Sequence, residues 1–232
     1  MKSLYLLLHI FTLAFPLIRS FEPRIQYAKK WPTLFPAIFI TAAFFITWDI
    51  IFTQKGVWGF NENYLIGVFL WGLPLEEWLF FISVPFASVF IYECVRYFLP
   101  GIKTSRSFRI LTVSMAFLLL VMAVINDQKA YTFWNFIFAG SFLILVALMN
   151  PHWLGKFWVA YSIHLIPFLF INGILTGSFL EQPVVWYNNR ENLYFRIFTI
   201  PIEDFVYALL LLLMNITFYE VLNKYYIRIK HK

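Results

Sequence analysis

The sequence predicts an all-α integral membrane protein with seven transmembrane helices, arranged as two parallel three-helix repeats joined by a connecting helix. Of the 232 residues, 61% are hydrophobic and only 13% are charged, whereas soluble domains have roughly 45–50% apolar and about 25% charged residues. The apolar positions form stretches close to the roughly 20 residues that a helix needs to cross a bilayer. A motif near residue 75 recurs near residue 202, which indicates the repeat.

The hydrophobic stretches place seven spans along the chain. The first lacks a small-residue cleavage site and is followed at once by basic residues, so we expect a retained helix rather than a signal peptide. In chain order the predicted spans are Leu4–Ile18, Leu34–Phe52, Leu75–Phe98, Ile110–Ile125, Phe133–Met149, Phe157–Ile171 and Ile202–Leu222.

The distribution of charge predicts the orientation of these spans. Thirteen of the 18 Lys and Arg residues fall on one predicted side, and basic loops stay in the cytoplasm. We therefore expect a multi-pass protein of the cell membrane with its amino terminus outside and its carboxyl terminus in the cytoplasm. The net charge of +6 then belongs to a rim facing anionic lipid, and no nucleic-acid partner is expected. Nine of the 12 acidic residues lie in or near the outer half, where we expect the chemistry.

The repeat is clearest where the third and seventh spans begin. Pro74–Phe81 (PLEEWLFF) corresponds position by position to Pro201–Ala208 (PIEDFVYA), and in both copies a Tyr-Glu pair places a glutamate 19 residues after the proline. These glutamates, Glu93 and Glu220, lie near the basic rim and are expected to pair with Arg or Lys. Repeats of this kind usually form a binding site at their interface.

Weaker similarity upstream extends the repeat. Asn61–Tyr64 resembles Asn189–Asn192. We assign residues 1–100 to the first repeat with helices 1–3, residues 101–130 to the connecting helix 4, and residues 131–232 to the second repeat with helices 5–7 and a basic cytoplasmic tail.

Proline is expected to interrupt the chain before each motif helix. The apolar stretch from Tyr64 to Leu99 is too long for one span, and proline is favoured at the start of a helix but costly in its interior. Tyr64–Leu73, and its counterpart Leu193–Ile200, are therefore expected to be short interfacial or re-entrant segments.

The candidate catalytic residues are the motif acids Glu76, Glu77, Glu203 and Asp204, with Asp49 as a further acid. Acids in a first helical turn can simply cap free N–H groups, but carboxylates at membrane depth are costly and usually functional. Two neighbouring carboxyl groups in a dry setting can hold one proton between them, so one can act as an acid and the other as a base. Such chemistry needs no redox cofactor.

Aromatic residues near these acids are candidate substrate contacts. Many aromatic side chains only pack or anchor a helix at the membrane surface, but a carbocation in a dry pocket needs π faces around it. The candidates are Trp48, Trp78, Phe80, Phe81, Phe205 and Tyr207. In the second repeat the approximate counterpart of Asp49 is the uncharged Asn172.

No cofactor or metal is expected. The sequence contains no glycine-rich dinucleotide or phosphate loop and no His-Glu-x-x-His motif. The single cysteine, Cys94, excludes an intrachain disulfide and a multi-cysteine metal site.

The two Pro-x-Glu-Glu/Asp motifs, with Trp48-Asp49 and Gly56–Asn61, resemble the membrane-type lycopene cyclase family of bacteria, archaea and fungi. The resemblance covers nearly the whole chain and is to the fused form, in which the cyclase domain is duplicated.

The resemblance implies an intramolecular lyase or isomerase that converts lycopene through γ-carotene to β-carotene. In this redox-neutral reaction a proton starts each ring closure, with the acid and base among the motif carboxyls and Asp49 in support. It also implies a lipid-soluble carotenoid substrate, surrounding membrane lipids and other carotenoid-pathway enzymes as candidate partners. A β or ε ring, and the chain length of the substrate, stay open.

Two other functions fit seven helices. A small-solute or proton-coupled transporter can also be built from parallel three-helix repeats, but it needs polar residues along several helices, and the fourth and fifth spans are almost wholly apolar. A retinal-type sensor is weakened because the predicted seventh span lacks an internal lysine.

Overall fold

The computed structural model describes residues 2–230, and its helices confirm an all-α membrane fold. Six of the seven helices in the described part are long and apolar enough to cross a membrane; α1, with 16 residues, is shorter and covers about 24 Å. The helices are α1 (Leu4–Arg19), α2 (Trp31–Gln54), α3 (Leu75–Phe98), α4 (Arg106–Ile125), α5 (Ala130–Met149), α6 (Leu154–Leu175) and α7 (Ile202–Lys230).

Each helix contains the span predicted for it, and most extend a few residues further. The extension is largest in α7, which was expected to end at Leu222 but continues to Lys230. No glycine or proline follows Leu222, so nothing in the local sequence stops the helix where its apolar part ends.

Three short antiparallel ladders lie at the end of the bundle where α3 and α7 begin. One joins the two halves, and each of the others is a hairpin that leads directly into a motif helix. The strands are β1 (Trp58–Phe60), β2 (Phe69–Leu70), β3 (Leu73–Pro74), β4 (Val185–Tyr187), β5 (Arg196–Ile197) and β6 (Ile200–Pro201), paired β1–β4, β2–β3 and β5–β6. The segments expected to be interfacial or re-entrant are therefore built around hairpins.

Equivalent backbone contacts start α3 and α7. Pro74 is extended and precedes the first helical residue, where its missing N–H costs nothing. The Leu75 N–H donates to the Val68 carbonyl at 2.8 Å, and the Ile202 N–H donates to the Phe195 carbonyl at 3.0 Å. The two hairpins thus turn the chain into its helix in the same way.

The hairpin tips also match. Trp71 and Phe198 both adopt left-handed backbone angles, with φ of 51° and 56°, a region that residues other than glycine seldom occupy. Both side chains are largely exposed, as aromatic side chains at a membrane surface often are.

The two motif helices lie at the centre of the bundle. α1 packs against α3, α5 packs against α7, α2 contacts both motif helices, and α6 packs mainly against α3. The connecting helix α4 packs against α5, where a Cβ on Gly140 would lie 2.7 Å from Leu120. The glycine therefore permits the close crossing of these two helices.

An ion cluster joins α3 and α7 at the end of the bundle opposite the hairpins. The Tyr92 hydroxyl donates to Glu220 at 2.7 Å, and the Tyr219 hydroxyl donates to Glu93 at 2.8 Å. One guanidinium nitrogen of Arg96 lies 2.9 Å from an oxygen of each glutamate. The expectation that both glutamates pair with a basic residue is confirmed.

Replacing Arg96 with methionine should destabilise the protein. The change leaves two largely buried carboxylates facing each other, and the loss of charge-assisted hydrogen bonds costs roughly 2 kcal/mol. The thermal unfolding midpoint in detergent should fall clearly below that of the wild type. Arg109→Met, at an exposed position of α4, is the matched control; equal midpoints for the two variants would show that the cluster adds no stability.

Candidate active site

The first acid of each motif holds the loop that precedes its own helix. Glu76 accepts a hydrogen bond from the Ile66 N–H at 2.7 Å, and Glu203 accepts one from the Leu193 N–H, also at 2.7 Å. Glu203 further accepts the Thr132 hydroxyl at 2.6 Å. Both glutamates are fully buried, and neither lines the large cavity described below. Their visible contacts are those of loop anchors.

The second acid of the first motif, Glu77, is paired with Asp49 from the end of α2. Both carboxyl groups are buried and line the same cavity, and they are close enough to interact. Two neighbouring ionised carboxylates repel each other, which favours one proton held between them. Tyr5 of α1 donates to Glu77 at 2.5 Å, and the Trp58 indole N–H donates to Asp49.

The second acid of the other motif, Asp204, is surrounded by three donors. Its Oδ1 accepts the Tyr131 hydroxyl at 2.6 Å, and its Oδ2 accepts the Asn172 amide at 2.8 Å and the Tyr187 hydroxyl at 2.9 Å. Burial and the neighbouring Asp204 raise the pKa of Tyr187, in strand β4, well above its usual value. Tyr187 therefore stays protonated and donates to Asp204.

The two acid centres have matching positions in the two halves. Tyr5 and Tyr131 lie in the first turns of α1 and α5, and each donates to the second motif acid of its own half. Asp49 and Asn172 lie near the ends of α2 and α6, each beside that same acid. The two centres thus differ in having a carboxyl or an amide at this position, and in the Tyr187 hydroxyl that only Asp204 accepts.

Both centres open into one elongated cavity of about 620 Å³. Asp49, Glu77 and Asp204 lie together among its lining residues, and Glu77 is near enough to Asp204 to interact electrostatically. Away from these acids the walls are mainly apolar side chains of α1, α3 and α6. The cavity is therefore an apolar groove with a carboxyl cluster at one end.

The ladder between β1 and β4 lies beside that carboxyl cluster. Trp58 is opposite Tyr187 in the ladder, and both side chains line the cavity. Gly59 is opposite Trp186, whose indole leaves no space for a Cβ on the glycine. Each half thus contributes one strand to the cavity wall, with Trp58 and Phe60 from the first half and Tyr187 from the second as the aromatic contacts of these strands.

The same region corrects one detail of the repeat. Asn61 accepts the backbone N–H of Asn63, and Asn188 accepts that of Arg190. The structural counterpart of Asn61 is therefore Asn188, not Asn189, because the side chain–backbone turn lies one residue earlier than the similarity of letters indicated.

The candidate aromatic residues divide between the cavity and its surroundings. Phe80 and Tyr207 line the cavity, and Tyr207 lies near all three of its acids. Trp48 and Phe81 are buried in the helix core and pack against Phe45.

The remaining two aromatic candidates lie outside the lining. Trp78 packs beside Trp71 of the hairpin and donates to the Leu70 carbonyl at 3.3 Å. Phe205 packs against Phe168, which does line the cavity.

Tyr5, Tyr131 and Tyr187 were not among the sequence candidates. A usable signal existed for two of them, since a tyrosine lies in the first turn of both α1 and α5 at nearly the spacing of the repeat. Tyr187 reaches its acid from a three-residue strand, and no local pattern marks that contact.

The site defines the class of the protein: a helical membrane protein with buried carboxyl groups at the end of an apolar groove. The family model described as lycopene cyclase matches residues 2–95 and again residues 128–222. The chain therefore belongs to the lycopene cyclase family and is a carotenoid cyclase. This family membership does not favour the transporter alternative. No curated protein and no solved structure gives a significant match.

Removing the anchor carboxyl at position 203 should loosen its loop. Glu203→Ala leaves the Leu193 N–H and the Thr132 hydroxyl without their buried acceptor, which costs about 1–3 kcal/mol. Glu203→Gln keeps an oxygen that can accept, so its loss of stability should be smaller. Thermal unfolding midpoints test this order, with Glu181→Ala at an exposed position as the control. Equal midpoints for the alanine variants would contradict the anchor role.

Proposed function

We propose that this protein converts lycopene through γ-carotene to β-carotene by proton-initiated ring closure. The observation that carries the proposal is the apolar groove with Asp49, Glu77 and Asp204 at one end. An apolar groove suits a linear hydrocarbon, and grouped carboxyls supply both a proton donor and a proton acceptor. No redox step is required.

The Asp49–Glu77 pair is the proposed acid. Both carboxyl groups are buried in the wall of the groove, and repulsion between two neighbouring carboxylates favours one shared proton, as in other sites where two carboxyl groups share a proton. Asp49 Oδ2 receives no hydrogen bond from another donor among the described residues, so a proton shared with Glu77 also satisfies a buried oxygen. The pair can deliver this proton to the terminal double bond of a substrate in the groove.

Asp204 is the proposed base. Three donors to its two oxygens favour the ionised carboxylate, since hydrogen bonds to a charged form stabilise it. A fixed negative charge close to the acid pair also stabilises a cation that forms between them. Asp204 can then remove a proton from a ring carbon next to the cation.

Atoms and charge balance in this scheme. A C–H bond forms when the terminal double bond is protonated, and the resulting cation is attacked by a second double bond of the chain, which closes the six-membered ring. Loss of a different proton from the ring forms a new double bond and removes the positive charge. Each closure thus gains one proton and loses one.

Aromatic side chains complete the polar end of the groove. Trp58, Tyr131, Tyr187 and Tyr207 all line it, and π faces attract a cation in a desolvated site. Phe80 occupies the position in α3 that Tyr207 occupies in α7 and also lines the cavity.

Glu76 and Glu203 are proposed as positioning residues. Their hydrogen bonds to Ile66 and Leu193 fix the loops that precede the two motif helices, and so fix where Glu77 and Asp204 begin their turns. We further propose that the carboxyl cluster lies on the side of the cell membrane that faces away from the cytoplasm, as the distribution of basic residues predicts.

Amide substitutions should separate the acids into two groups. In a lycopene-accumulating bacterial host, Glu77→Gln and Asp204→Asn should lose nearly all conversion to β-carotene, since each removes a proton-transfer group. Glu76→Gln and Glu203→Gln keep an accepting oxygen and should retain conversion. Pigments are separated by chromatography and normalised to the amount of protein in the membrane.

Glu181→Gln, at an exposed position, serves as the control for expression and handling. Unchanged lycopene with well-expressed wild type would overturn the proposed function. Full activity of Glu77→Gln would overturn the assignment of the acid while leaving the cyclase intact.

Solvent hydrogen should appear in the product. When membrane vesicles containing the protein convert unlabelled lycopene in heavy water, each ring closed should carry one deuterium, because the proton that starts closure comes from an exchangeable carboxyl. Mass spectrometry of γ-carotene and β-carotene measures this directly. Product without deuterium would mean that the starting proton does not come from a group in exchange with water.

A further inference from the structure

The groove extends along most of α3. Its lining runs from Glu77 in the first turn to Leu99 just beyond the last, an interval of about 33 Å at 1.5 Å per residue. That distance is close to the roughly 30 Å thickness of the hydrocarbon core. The end of the groove farthest from the acids is lined by Cys94, Val95 and Phe98.

The repeat predicts a second groove, and the structure shows that this one is filled. On the open side, Thr12 of α1 and Pro167 and Ile171 of α6 line the cavity. The pairs Tyr5–Tyr131 and Asp49–Asn172 align the helices of the two halves. In this alignment Thr12 corresponds to Phe138 of α5, Pro167 to Phe44 of α2 and Ile171 to Trp48 of α2.

Those three larger side chains pack against each other. The ring centroids of Phe44 and Trp48 lie 5.3 and 5.2 Å from that of Phe138. α2 also packs closely on α3, whereas α6 has only limited contact with α7. Three aromatic rings therefore occupy the space that is empty on the other side of the bundle.

We infer that the substrate lies along α3 with one end at the carboxyl cluster and the other beside Cys94 and Phe98. The rings at its two ends therefore form in separate binding events. The inference rests on the proposed function and extends it. In the part of the chain that the structure describes, the matching position in the other half is filled and the acids that line this groove lie at one end. The second end of the substrate therefore reaches the acids only after the molecule leaves and returns reversed.

Release is physically reasonable for such a groove. Phe11 and Phe15 line it and are also largely exposed on the membrane-facing side of α1. A hydrocarbon can therefore exchange with lipid without crossing a polar surface. The half-cyclised product, with one ring and one linear end, should accordingly be found free in the membrane.

Cys94 offers a reporter for the far end of the groove. It is the chain's single cysteine and lines the cavity, about 26 Å along α3 from Glu77 at 1.5 Å per residue. The Glu77→Gln variant in liposomes is alkylated with N-ethylmaleimide and followed by intact mass. Lycopene should slow alkylation several-fold, whereas a truncated lycopene of half the length, with one intact end group, should not.

The matched control places a cysteine on the lipid-facing surface. Leu148→Cys in a Cys94→Ala, Glu77→Gln background introduces a thiol at a position that is 80% exposed and outside the cavity lining. Lycopene should leave its alkylation rate unchanged. Equal rates at Cys94 with and without lycopene would overturn the placement of the chain.

A pulse-chase measurement tests the separate binding events. Wild-type liposomes receive a brief pulse of ¹³C-lycopene followed by a large excess of unlabelled lycopene. Labelled γ-carotene should accumulate and labelled β-carotene should stop increasing, because released intermediate is diluted by the excess. Continued conversion of label to β-carotene would overturn release. Unchanged alkylation of Cys94, or continued conversion of label, would overturn the inference and leave lycopene cyclisation itself intact. A wild type that forms no ring from lycopene would instead refute the proposed function.

Discussion

Burial of carboxyl groups at the end of a membrane helix bundle is the constraint on which the rest of this structure depends. Glu76, Glu77, Glu203, Asp204 and Asp49 are all buried, and an uncompensated charge in such a place is costly. One oxygen of Glu76 and one of Glu203 accept backbone N–H groups of the hairpin loops, and the other oxygen of each has no partner among the described residues. Asp204 accepts three side-chain donors, Glu77 accepts a tyrosine hydroxyl and Asp49 accepts a tryptophan N–H. The loops, the first turns of α1 and α5 and the β1–β4 ladder are held in place by these contacts.

The contacts also place the two acids of each motif in different surroundings. Adjacent residues in a helix point about 100° apart, because 3.6 residues complete a turn. In each motif the first acid therefore faces the preceding loop while the second faces the groove. The sequence shows only two neighbouring carboxyls and does not indicate that the two members of each pair face different surroundings. The structure thus assigns a supporting position to Glu76 and Glu203 and a cavity position to Glu77 and Asp204.

Most of the fold could be predicted from the sequence because each helix is a long apolar stretch and each motif helix begins at a proline. Helix ends were less predictable, as α7 shows, because apolar composition marks the membrane and not the end of the helix. The hairpins escaped prediction as strands because two-residue strands have no period to detect. Within the site, Asp49, Glu77 and Asp204 were accessible from their spacing and type, whereas Tyr187 depends on a strand pairing between residues more than 120 positions apart.

The difference between Asp49 and Asn172 has a consequence for the two halves as separate units. If the first half paired with a copy of itself, each half would bring an Asp–Glu pair and neither would bring the amide that donates to Asp204. If the second half did so, both acids would face an amide and no carboxyl pair would exist to keep a proton. Under the proposed roles only the unlike halves together supply a proton donor and a charged acceptor, and two side chains separate those roles: the amide of Asn172 in place of a carboxyl, and the hydroxyl of Tyr187 where the first half has Phe60.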